Sequence, residues 1–252
     1  MTTLLVDADI TLWRAASAVQ KEYRWSPSSV SISADFHEAR RIVERQLRDF
    51  RRALNADDMI LCLSDPDTEH NFRKQILPSY KAERVKRAKP VLFHQLREWL
   101  EASYTCRWEA GLEGDDLLGI GATGKRSKSE NRIVTTIDKD LQGVPCRLWN
   151  PNHPEDGVRE ITPPAAARFH LLQTLMGDSV DGYHGIPGIG AKKAEKILGL
   201  ETHPTIQWIK VIAAYIRAGK TEADALQQAR VAHICQAGDW DRTVGVRLWS
   251  PT

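Results

Sequence analysis

Short apolar runs that end close to acidic residues recur along the chain. They occupy residues 4–6, 59–63 and 132–136, and an aspartate follows each run within two positions. Continuous apolar runs of this kind are typical of strands that are buried on both faces of a sheet. The pattern therefore predicts three buried strands, each with a carboxylate near its end.

Segments with a helical spacing of apolar residues lie between these runs. In residues 35–54 apolar side chains recur every three or four positions, and residues 91–103 are also helix-like. This spacing predicts amphipathic helices. Helices that alternate with strands predict an α/β fold with a mainly parallel central sheet flanked by helices. In such sheets ligands bind at the carboxyl ends of the strands, where these aspartates lie.

The last third of the sequence has a mostly helical pattern. Residues 164–198 predict two helices around a glycine-rich turn. Residues 204–240 predict a wholly helical stretch, in which Thr221 caps a helix that begins at Glu222.

Two similar pentapeptides precede and end this helical part. Arg147–Pro151 and Arg247–Pro251 both begin with the letters RLW, and we interpret them as two edge strands of one sheet, the second returning the C-terminus to the core. We place a domain boundary near residue 163, which divides a core over residues 1–163 from a helical region over residues 164–252.

Composition places the chain among globular proteins. Its 252 residues include 42% hydrophobic and 27% charged residues, which is near the average of soluble domains. The N-terminal sequence lacks the features of a signal peptide and no apolar run is long enough to span a bilayer, so we expect a cytoplasmic protein without a membrane partner. The four dispersed cysteines predict buried thiols, not disulfides or zinc ligands.

Charge is unevenly distributed, although the formal net charge is only +2. Basic residues crowd one segment, whereas carboxylates gather at the ends of apolar runs. A polyanionic partner and a metal ion would explain both features. The basic residues are Arg73, Lys74, Lys81, Arg84, Lys86, Arg87 and Lys89.

The acidic residues form five clusters in similar positions. A single aspartate after a strand is most often a turn former or a helix cap, but five clusters brought together would repel one another unless cations lay between them. Ligands that offer only oxygen favour Mg²⁺ or Mn²⁺ over zinc. The clusters are Asp7 and Asp9; Asp65 and Asp67; Glu113, Asp115 and Asp116; Asp138 and Asp140; and Asp178 and Asp181.

Two of these clusters have a specific local interpretation. The segment 113–119 places acidic residues at the start of an apolar helix, where one carboxylate, but hardly three, would be explained by the helix dipole. Asp178 and Asp181 are three positions apart, which on a helical turn places both on one face. Two metal ions about 4 Å apart would suit the hydrolysis of a phosphodiester.

The glycine-rich turn over residues 182–194 indicates a phosphate clamp of the helix–hairpin–helix kind. Glycines allow close backbone approach, and the N–H groups that open the second helix favour an anion. The alternative is an ordinary helix–helix connection. The expected DNA-binding residues are Gly185, Ile186, Gly188, Gly190, Lys192 and Lys193.

With these motifs the sequence resembles the 5′-nuclease superfamily, which includes flap endonucleases, the 5′-nuclease domain of bacterial DNA polymerase I and phage 5′–3′ exonucleases. The similarity spans most of the chain and follows the family's order. It runs through VDAD (6–9), FRKQILPSYKAER (72–84), LEGDDLLG (112–119), TIDKDL (136–141) and LMGDSVDGYHGIPGIGAKKA (175–194).

The resemblance implies a PIN-like core, a helical arch at about 72–89 and a C-terminal helix–hairpin–helix (H3TH) region. It assigns a first metal site to Asp7, Asp65, Glu113, Asp115 and Asp116, and a second to Asp138, Asp140, Asp178 and Asp181. In the arch, Arg73, Lys81 and Arg84 would contact the scissile phosphate or the 5′ strand, and Tyr80 would stack on a base. The alternative for the arch is a solvated basic helix face.

Two positions depart from the family pattern. Asp65 and Asp67 compete for one position, and we favour Asp65 because it follows the strand as part of a Ser-Asp pair. Gly114 stands where many relatives have alanine, which could loosen the start of the helix. The resemblance also allows a K⁺ ion at the glycine-rich turn.

The sequence thus predicts a two-metal 5′–3′ exonuclease or flap endonuclease that uses Mg²⁺, or Mn²⁺ in its place, on duplex DNA with a 5′ end or 5′ flap. RNA–DNA hybrids are a further candidate substrate, and a monomer is expected. The length favours a free-standing phage enzyme that acts in the host cytoplasm. Two alternatives are a PIN-type ribonuclease, which is usually shorter and lacks the helix–hairpin–helix, and a non-catalytic DNA-binding protein, which would have lost several carboxylates.

Overall fold

The computed structural model describes residues 1–83, 88–125, 127 and 129–251. Its strands are β1 (Thr2–Asp7), β2 (Lys21–Ser26), β3 (Ser29–Ser33), β4 (Asp58–Cys62), β5 (Cys106–Arg107), β6 (Asn131–Thr135), β7 (Cys146–Trp149), β8 (Arg159–Ile161), β9 (Trp240–Asp241) and β10 (Gly245–Val246). Its α-helices are α1 (Ala8–Val19), α2 (Phe36–Ala53), α3 (Phe72–Ile76), α4 (Phe93–Ser103), α5 (Gly114–Thr123), α6 (Pro163–Met176), α7 (Ala191–Leu198), α8 (Pro204–Arg217) and α9 (Glu222–Ala232).

A six-stranded sheet forms the centre of the molecule, in the order β5-β4-β1-β6-β7-β8. Neighbours from β5 to β7 are parallel, and β8 pairs antiparallel with β7. The predicted α/β fold with a mainly parallel sheet is therefore confirmed. The three strands predicted from apolar runs are β1, β4 and β6, and they lie side by side.

Both faces of the sheet are covered, which explains why its central strands are apolar without alternation. Leu4 and Val6 of β1 pack with α1, α2 and α4 on one face. Leu5 packs with α5 and with the segment at Ile234 and Cys235 on the other. Because the central strands run parallel, their carboxyl ends meet at one edge of the sheet, where acidic residues follow them.

The helices α6 to α9 have a separate apolar core around Tyr215. The two predicted helices around the glycine-rich turn are α6 and α7. The sheet ends with β8 at Ile161 and α6 begins at Pro163, and the domain boundary near residue 163 stays a prediction.

The prediction that residues 204–240 are wholly helical is wrong for residues 233–240, and two helices fill most of the rest. Helix α8 ends at Arg217, and Gly219 with a φ of 73° turns the chain. Thr221 then caps α9 as predicted, its hydroxyl accepting from the Asp224 N–H at 3.1 Å. The chain leaves the helix after Ala232.

The prediction of two edge strands at the RLW pentapeptides is also wrong. The first pentapeptide overlaps β7, an interior strand between β6 and β8. The second forms no strand, and Trp249 instead packs edge to face on Trp208, with ring centroids 5.2 Å apart. The C-terminus therefore returns to the helical region, not to the sheet.

All four cysteines are free thiols, as predicted, although only Cys62 and Cys235 are buried and the other two are partly exposed. In the described part of the chain, no helix is long and apolar enough to cross a membrane.

Candidate active site

The end of β1 supplies two carboxylates that join neighbouring strands. Asp7 is the last residue of β1 and caps α1, where its Oδ1 accepts from the Ile10 N–H at 3.2 Å. Its Oδ2 accepts from the Thr136 hydroxyl beyond β6, at 2.8 Å. Asp9 Oδ2 accepts from the Ser64 N–H beyond β4, at 2.7 Å. The ends of β4, β1 and β6 are therefore held together through aspartates.

Burial and mutual repulsion disfavour ionisation of Asp7 and Asp115. Burial, reinforced by Asp9, raises the pKa of Asp7 to about 7. Burial also raises the pKa of Asp115 well above its usual value, and the charges of Asp138 and Asp7 add to this effect. Aspartates from β1, α5 and the loop after β6 are thus close enough to repel one another.

The second group of carboxylates lies between the sheet and the helical region. Asp138 caps a short 3₁₀ helix, and its Oδ1 accepts from the Asp140 N–H at 2.8 Å. Burial and the charge of Asp138 raise the pKa of Asp140 to about 7, with smaller contributions from Asp178 and Asp181. The two groups therefore meet at Asp138.

The turn at 178–183 differs from the predicted helical turn. Asp178 and Tyr183 form a bridge, in which the Asp178 N–H donates to the Tyr183 carbonyl at 2.7 Å. Asp178 Oδ1 accepts from the Val180 N–H at 2.8 Å. Asp178 and Asp181 nevertheless both lie near Asp140, because the bridge folds the turn back on itself.

We call these seven aspartates the acidic cluster. Six of them were predicted as metal ligands. Asp9, the second acidic residue of the VDAD motif, is not among the predicted ligands, although its spacing from Asp7 at a strand end is a signal for it. The acidic cluster comprises Asp7, Asp9, Asp115, Asp138, Asp140, Asp178 and Asp181.

Glu113 lies beside the acidic cluster and is linked to the basic segment. Lys81 Nζ donates to Glu113 Oε1 at 2.6 Å and lies 3.6 Å from Asp181 Oδ2. Burial opposes ionisation of Glu113, but Lys81 and Arg73 outweigh it, so that its pKa is lowered. The Lys81 ammonium thus places a positive charge between two predicted ligands.

The structure corrects the prediction that Tyr80 stacks on a base. Its ring is only 3% exposed and lies near Lys81 Nζ, 5.0 Å from the ring centroid. Its hydroxyl donates to Glu113 Oε2 at 2.7 Å. Tyr80 therefore helps to orient Glu113, and its ring offers no open face for a base.

Arg73 and Asp116 form a buried ion pair, which corrects both predicted roles. The guanidinium of Arg73 donates to both oxygens of Asp116 at 2.7 Å, and the two residues are 2% and 0% exposed. Arg73 also donates to the carbonyls of Val231 and His233. Asp116 further accepts from the Cys235 N–H at 3.0 Å. Asp116 is therefore not placed to hold a metal ion, nor Arg73 to contact DNA.

Asp65 and Asp67 lie in the loop after β4. Asp65 accepts from the N–H groups of Asp67, at 3.0 Å, and Gly111, at 2.7 Å. Asp67 caps a short 3₁₀ helix and pairs with His70. The prediction of Asp65 as a ligand stays untested, and these hydrogen bonds give it a role in holding the loop.

Little of the predicted arch is helical in the described residues. Helix α3 covers only Phe72–Ile76, and Lys74 pairs with Glu69 on the surface at 2.8 Å. Arg84, predicted to contact DNA, lies outside the described residues.

The glycine-rich turn divides into a buried and an exposed half. Gly185 and Ile186 are buried, and the Gly185 N–H donates to Gln228 Oε1 at 3.0 Å. These two residues are therefore structural, which corrects their predicted contact with DNA.

The exposed half of the turn begins at Gly188. Gly188 has a φ of 74°, and both it and Gly190 have open space where a side chain would begin. Gly190 caps α7, Lys192 is exposed, and Lys193 Nζ donates to the Gly188 carbonyl at 2.9 Å. Exposed backbone and two lysines thus lie together at the start of a helix.

The acidic cluster has the chemistry of a site for hard divalent cations. Its donors are carboxylate oxygens, and Asp140 Oδ1 is buried without a hydrogen-bond partner. Among the described residues, no three Asp, Glu, His or Cys side chains already converge on a point that could hold an ion. The oxygen donors and the raised pKa values of Asp7, Asp115 and Asp140 fit a metal ion.

Comparisons with known proteins identify relatives along the whole chain. Residues 2–153 match the family of 5′-3′ exonuclease N-terminal resolvase-like domains. The exodeoxyribonuclease of Enterobacteria phage T3 is 27% identical over 98% of this chain and 92% of its own length.

Two solved structures have a similar fold. A phage T5 protein crystallised with metal ions has a TM-score of 0.66 at 15% identity, covering 92% of this chain and 89% of that one. The bacteriophage T5 flap endonuclease in complex with DNA and metal ions has a TM-score of 0.63 at 14% identity, with the same coverage.

Proposed function

Because the chain belongs to the 5′–3′ exonuclease family, we propose that it cuts DNA at 5′ ends and 5′ flaps at the acidic cluster, with divalent metal ions. The chain is a 5′-nuclease of the exonuclease and flap endonuclease kind. The observation that carries the finer proposal is the convergence of Asp7, Asp115, Asp138 and Asp140 at one edge of the sheet. The raised pKa values of Asp7, Asp115 and Asp140 mark this edge as a place that favours a cation.

The bound ions would be two Mg²⁺, for which Mn²⁺ can substitute. Asp7, Asp115 and Asp138 would hold one, and Asp140, Asp178 and Asp181 the other. When bound, such ions lower the pKa of a water and stabilise charge on the leaving oxygen. Asp65 would contribute through the loop that it holds. Support comes from the oxygen-only donors and from Asp140 Oδ1, which has no protein partner.

Lys81 would supply the positive charge of the protein itself. Its Nζ lies between Glu113 and Asp181 at the border of the acidic cluster, where it would attract a phosphate that approaches the cluster. Glu113 and Tyr80 hold the ammonium in place. Arg84 would add a second charge in the same segment.

The start of α7 would hold the duplex through its phosphates. Gly188, Gly190, Lys192 and Lys193 provide exposed backbone and charge, which recognise phosphate without reading sequence. A K⁺ ion at this turn would compete with Lys193 for the Gly188 carbonyl. The protein would act as a monomer, and RNA–DNA hybrids are a further substrate to test.

The test uses duplex, 5′-flap and RNA–DNA hybrid substrates, each labelled at the 5′ or the 3′ end. With Mg²⁺ we expect the 5′ label to appear early in short products and EDTA to stop the reaction. Asp138→Asn should lose cleavage and keep duplex binding, because an amide is a poorer ligand for a hard cation. Early release of the 3′ label, or full activity of the variant, would contradict the proposal.

A further inference from the structure

The strands β2 and β3 form a two-stranded ribbon that stands apart from the central sheet. They pair only with each other, and nearly all of their residues are exposed. Isolated ribbons of this kind have little stability of their own. Trp25 on this ribbon is nevertheless 74% exposed and Tyr23 is 48% exposed, so the ribbon presents large aromatic side chains to solvent.

The register of the ribbon separates its residues into two faces. Residues opposite each other in an antiparallel pair share a face, and successive residues alternate between faces. Tyr23 pairs with Ser31 and Lys21 with Ser33. Trp25 belongs to the same face, because its indole N–H donates to the Ser31 hydroxyl at 2.9 Å. We call this the aromatic face: Lys21, Tyr23, Trp25, Ser31 and Ser33.

The opposite face is aliphatic and carries the only acid of the two strands. It contains Val30 and Ile32, together with Arg24, which pairs with Glu22 at 3.3 Å. We call this the aliphatic face: Glu22, Arg24, Val30 and Ile32. The aromatic face has one cation and hydroxyl groups but no carboxylate. Of the two faces, only the aromatic face lacks a carboxylate that would repel a phosphate backbone.

The ribbon joins the molecule next to the basic segment. Gln20, which precedes β2, accepts through Oε1 from the Val91 N–H at 2.9 Å. Val91 follows residues 72–89, whose Lys81 reaches the acidic cluster. The root of the ribbon is therefore bound to the chain directly after the basic segment.

We propose that the aromatic face binds single-stranded DNA that adjoins the duplex, by stacking bases on Tyr23 and Trp25. The pairing register shifts between Arg24 and Ser26, so the place of Trp25 on this face rests on its bond to Ser31. The bond to Ser31 fixes the indole, so little side-chain freedom is lost on binding. Aromatic side chains with nearby cations are the usual means of holding single strands without reading their sequence. A protein partner would instead favour a continuous apolar face.

This inference rests on the proposed function, and the test keeps the two separate. Fluorescence anisotropy would compare a blunt duplex with the same duplex carrying a single-stranded 5′ arm of thymidines, with Ca²⁺ in place of Mg²⁺. Tyr23→Ala with Trp25→Ala should weaken binding of the armed duplex by about 10- to 100-fold and change blunt-duplex binding less than about twofold. The matched control is Val30→Ala with Ile32→Ala on the aliphatic face. It should leave the preference for the armed over the blunt duplex unchanged.

Two further pairs of substitutions separate a loss of stacking from local unfolding of the ribbon. Tyr23→Phe with Trp25→Phe should keep most of the preference for the armed duplex, whereas Tyr23→Leu with Trp25→Leu should lose it despite similar bulk. Wild-type affinity in the leucine pair, or equal losses on both duplexes in the alanine pair, would overturn the inference. Absence of cleavage by the wild-type protein in Mg²⁺ would instead contradict the proposed nuclease function.

Discussion

Individual carboxylates in this protein have roles that depend on their partners, as the pair Asp115 and Asp116 shows. The two are adjacent in sequence, Asp116 fully buried and Asp115 partly exposed. Asp115 faces other carboxylates, which together with burial raise its pKa. Asp116 faces Arg73, which overcomes burial and lowers its pKa. Asp115 is therefore suited to bind a metal ion from solution, whereas Asp116 is already neutralised by Arg73.

Asp116→Asn should therefore act on stability. It leaves the Arg73 charge buried with a neutral partner, and breaking such pairs costs about 3–5 kcal/mol. We expect a loss of this order in the free energy of unfolding, measured by urea denaturation. Asp138→Asn is the control and should abolish cleavage without a comparable loss. A stable but inactive Asp116→Asn protein would return Asp116 to the set of ligands.

Lys81→Ala should slow the chemical step more than it weakens binding. A charge that stabilises the transition state is worth about 100-fold or more in rate. Single-turnover cleavage at saturating enzyme measures this directly. Lys74→Ala is the matched control in the same basic segment, since Lys74 pairs with Glu69 on the surface. Equal rates in the Lys81 variant and the wild type would remove Lys81 from the chemistry.

At the scale of elements, helix α5 connects the acidic cluster with the C-terminal segment. Its two ends meet different constraints. A Cβ on Gly114 would lie 3.4 Å from Asp9 Oδ2, an ordinary contact. A Cβ on Gly119 would lie 2.3 Å from the Cys235 carbonyl, which no rotation can relieve. The helix therefore needs glycine where it packs and tolerates alanine where it begins.

Gly114→Ala should be neutral or stabilise the protein by up to about 1 kcal/mol, because alanine has the higher helix propensity. Gly119→Ala should destabilise it by about 1–3 kcal/mol, as overpacked cores do. Thermal unfolding of both variants at the same pH checks the contrast. A tolerated Gly119→Ala would mean that the segment at Cys235 is not packed against α5.

The exposed half of the glycine-rich turn should contribute a salt-dependent term to DNA binding. Lys192→Ala with Lys193→Ala should weaken binding to all duplex sequences alike and lower the slope of log affinity against log salt by up to about 2, at roughly 0.9 for each phosphate contact. Lys220→Ala, outside the turn, is the control. An unchanged slope in the double variant would make this turn an ordinary helix connection.

At the scale of the whole molecule, the sequence predicted the sheet better than its C-terminal additions. In β1, β4 and β6 apolar and polar residues do not alternate, because helices cover both faces of the sheet. These strands could therefore be predicted from the local sequence. The end of α9 could not be predicted from its local sequence, because it depends on Arg73. The Arg73 guanidinium donates to the carbonyls of Val231 and His233, which lie 158 and 160 residues further along the chain. Contacts at such separation leave no local signal.

Contacts between distant parts of the chain also limited how much of the site could be predicted. Acidic residues at strand ends indicated most of the acidic cluster, since parallel strands end at one edge. The sequence could not show which residues pair across elements. These pairs are Arg73 with Asp116, Tyr80 with Glu113, and Asp9 with Ser64. Each of these depends on which side chain from another element is nearest.

Asp7, Asp115 and Asp140 of the acidic cluster carry more negative charge than their surroundings favour, and this has a consequence for stability. Asp7, Asp115 and Asp140 have pKa values above those of the unfolded chain, so the folded protein binds more protons between about pH 4 and pH 7. Stability must therefore fall as the pH rises through this range. Below it, Glu113 and Asp116, whose pKa values are lowered, would take up protons and lose their ion pairs.

Thermal unfolding across this pH range, with EDTA or with Mg²⁺, tests most directly the claim that the acidic cluster is a metal site. Without metal we expect Tm to fall from about pH 5 to pH 8. Mg²⁺ should raise Tm strongly at pH 8, because bound ions favour the folded state. At pH 5 it should raise Tm little, because protonated aspartates bind metal ions poorly. Asp138→Asn with Asp140→Asn should weaken both effects. A Tm that does not change with pH and does not respond to Mg²⁺ would show that the acidic cluster is not a metal site.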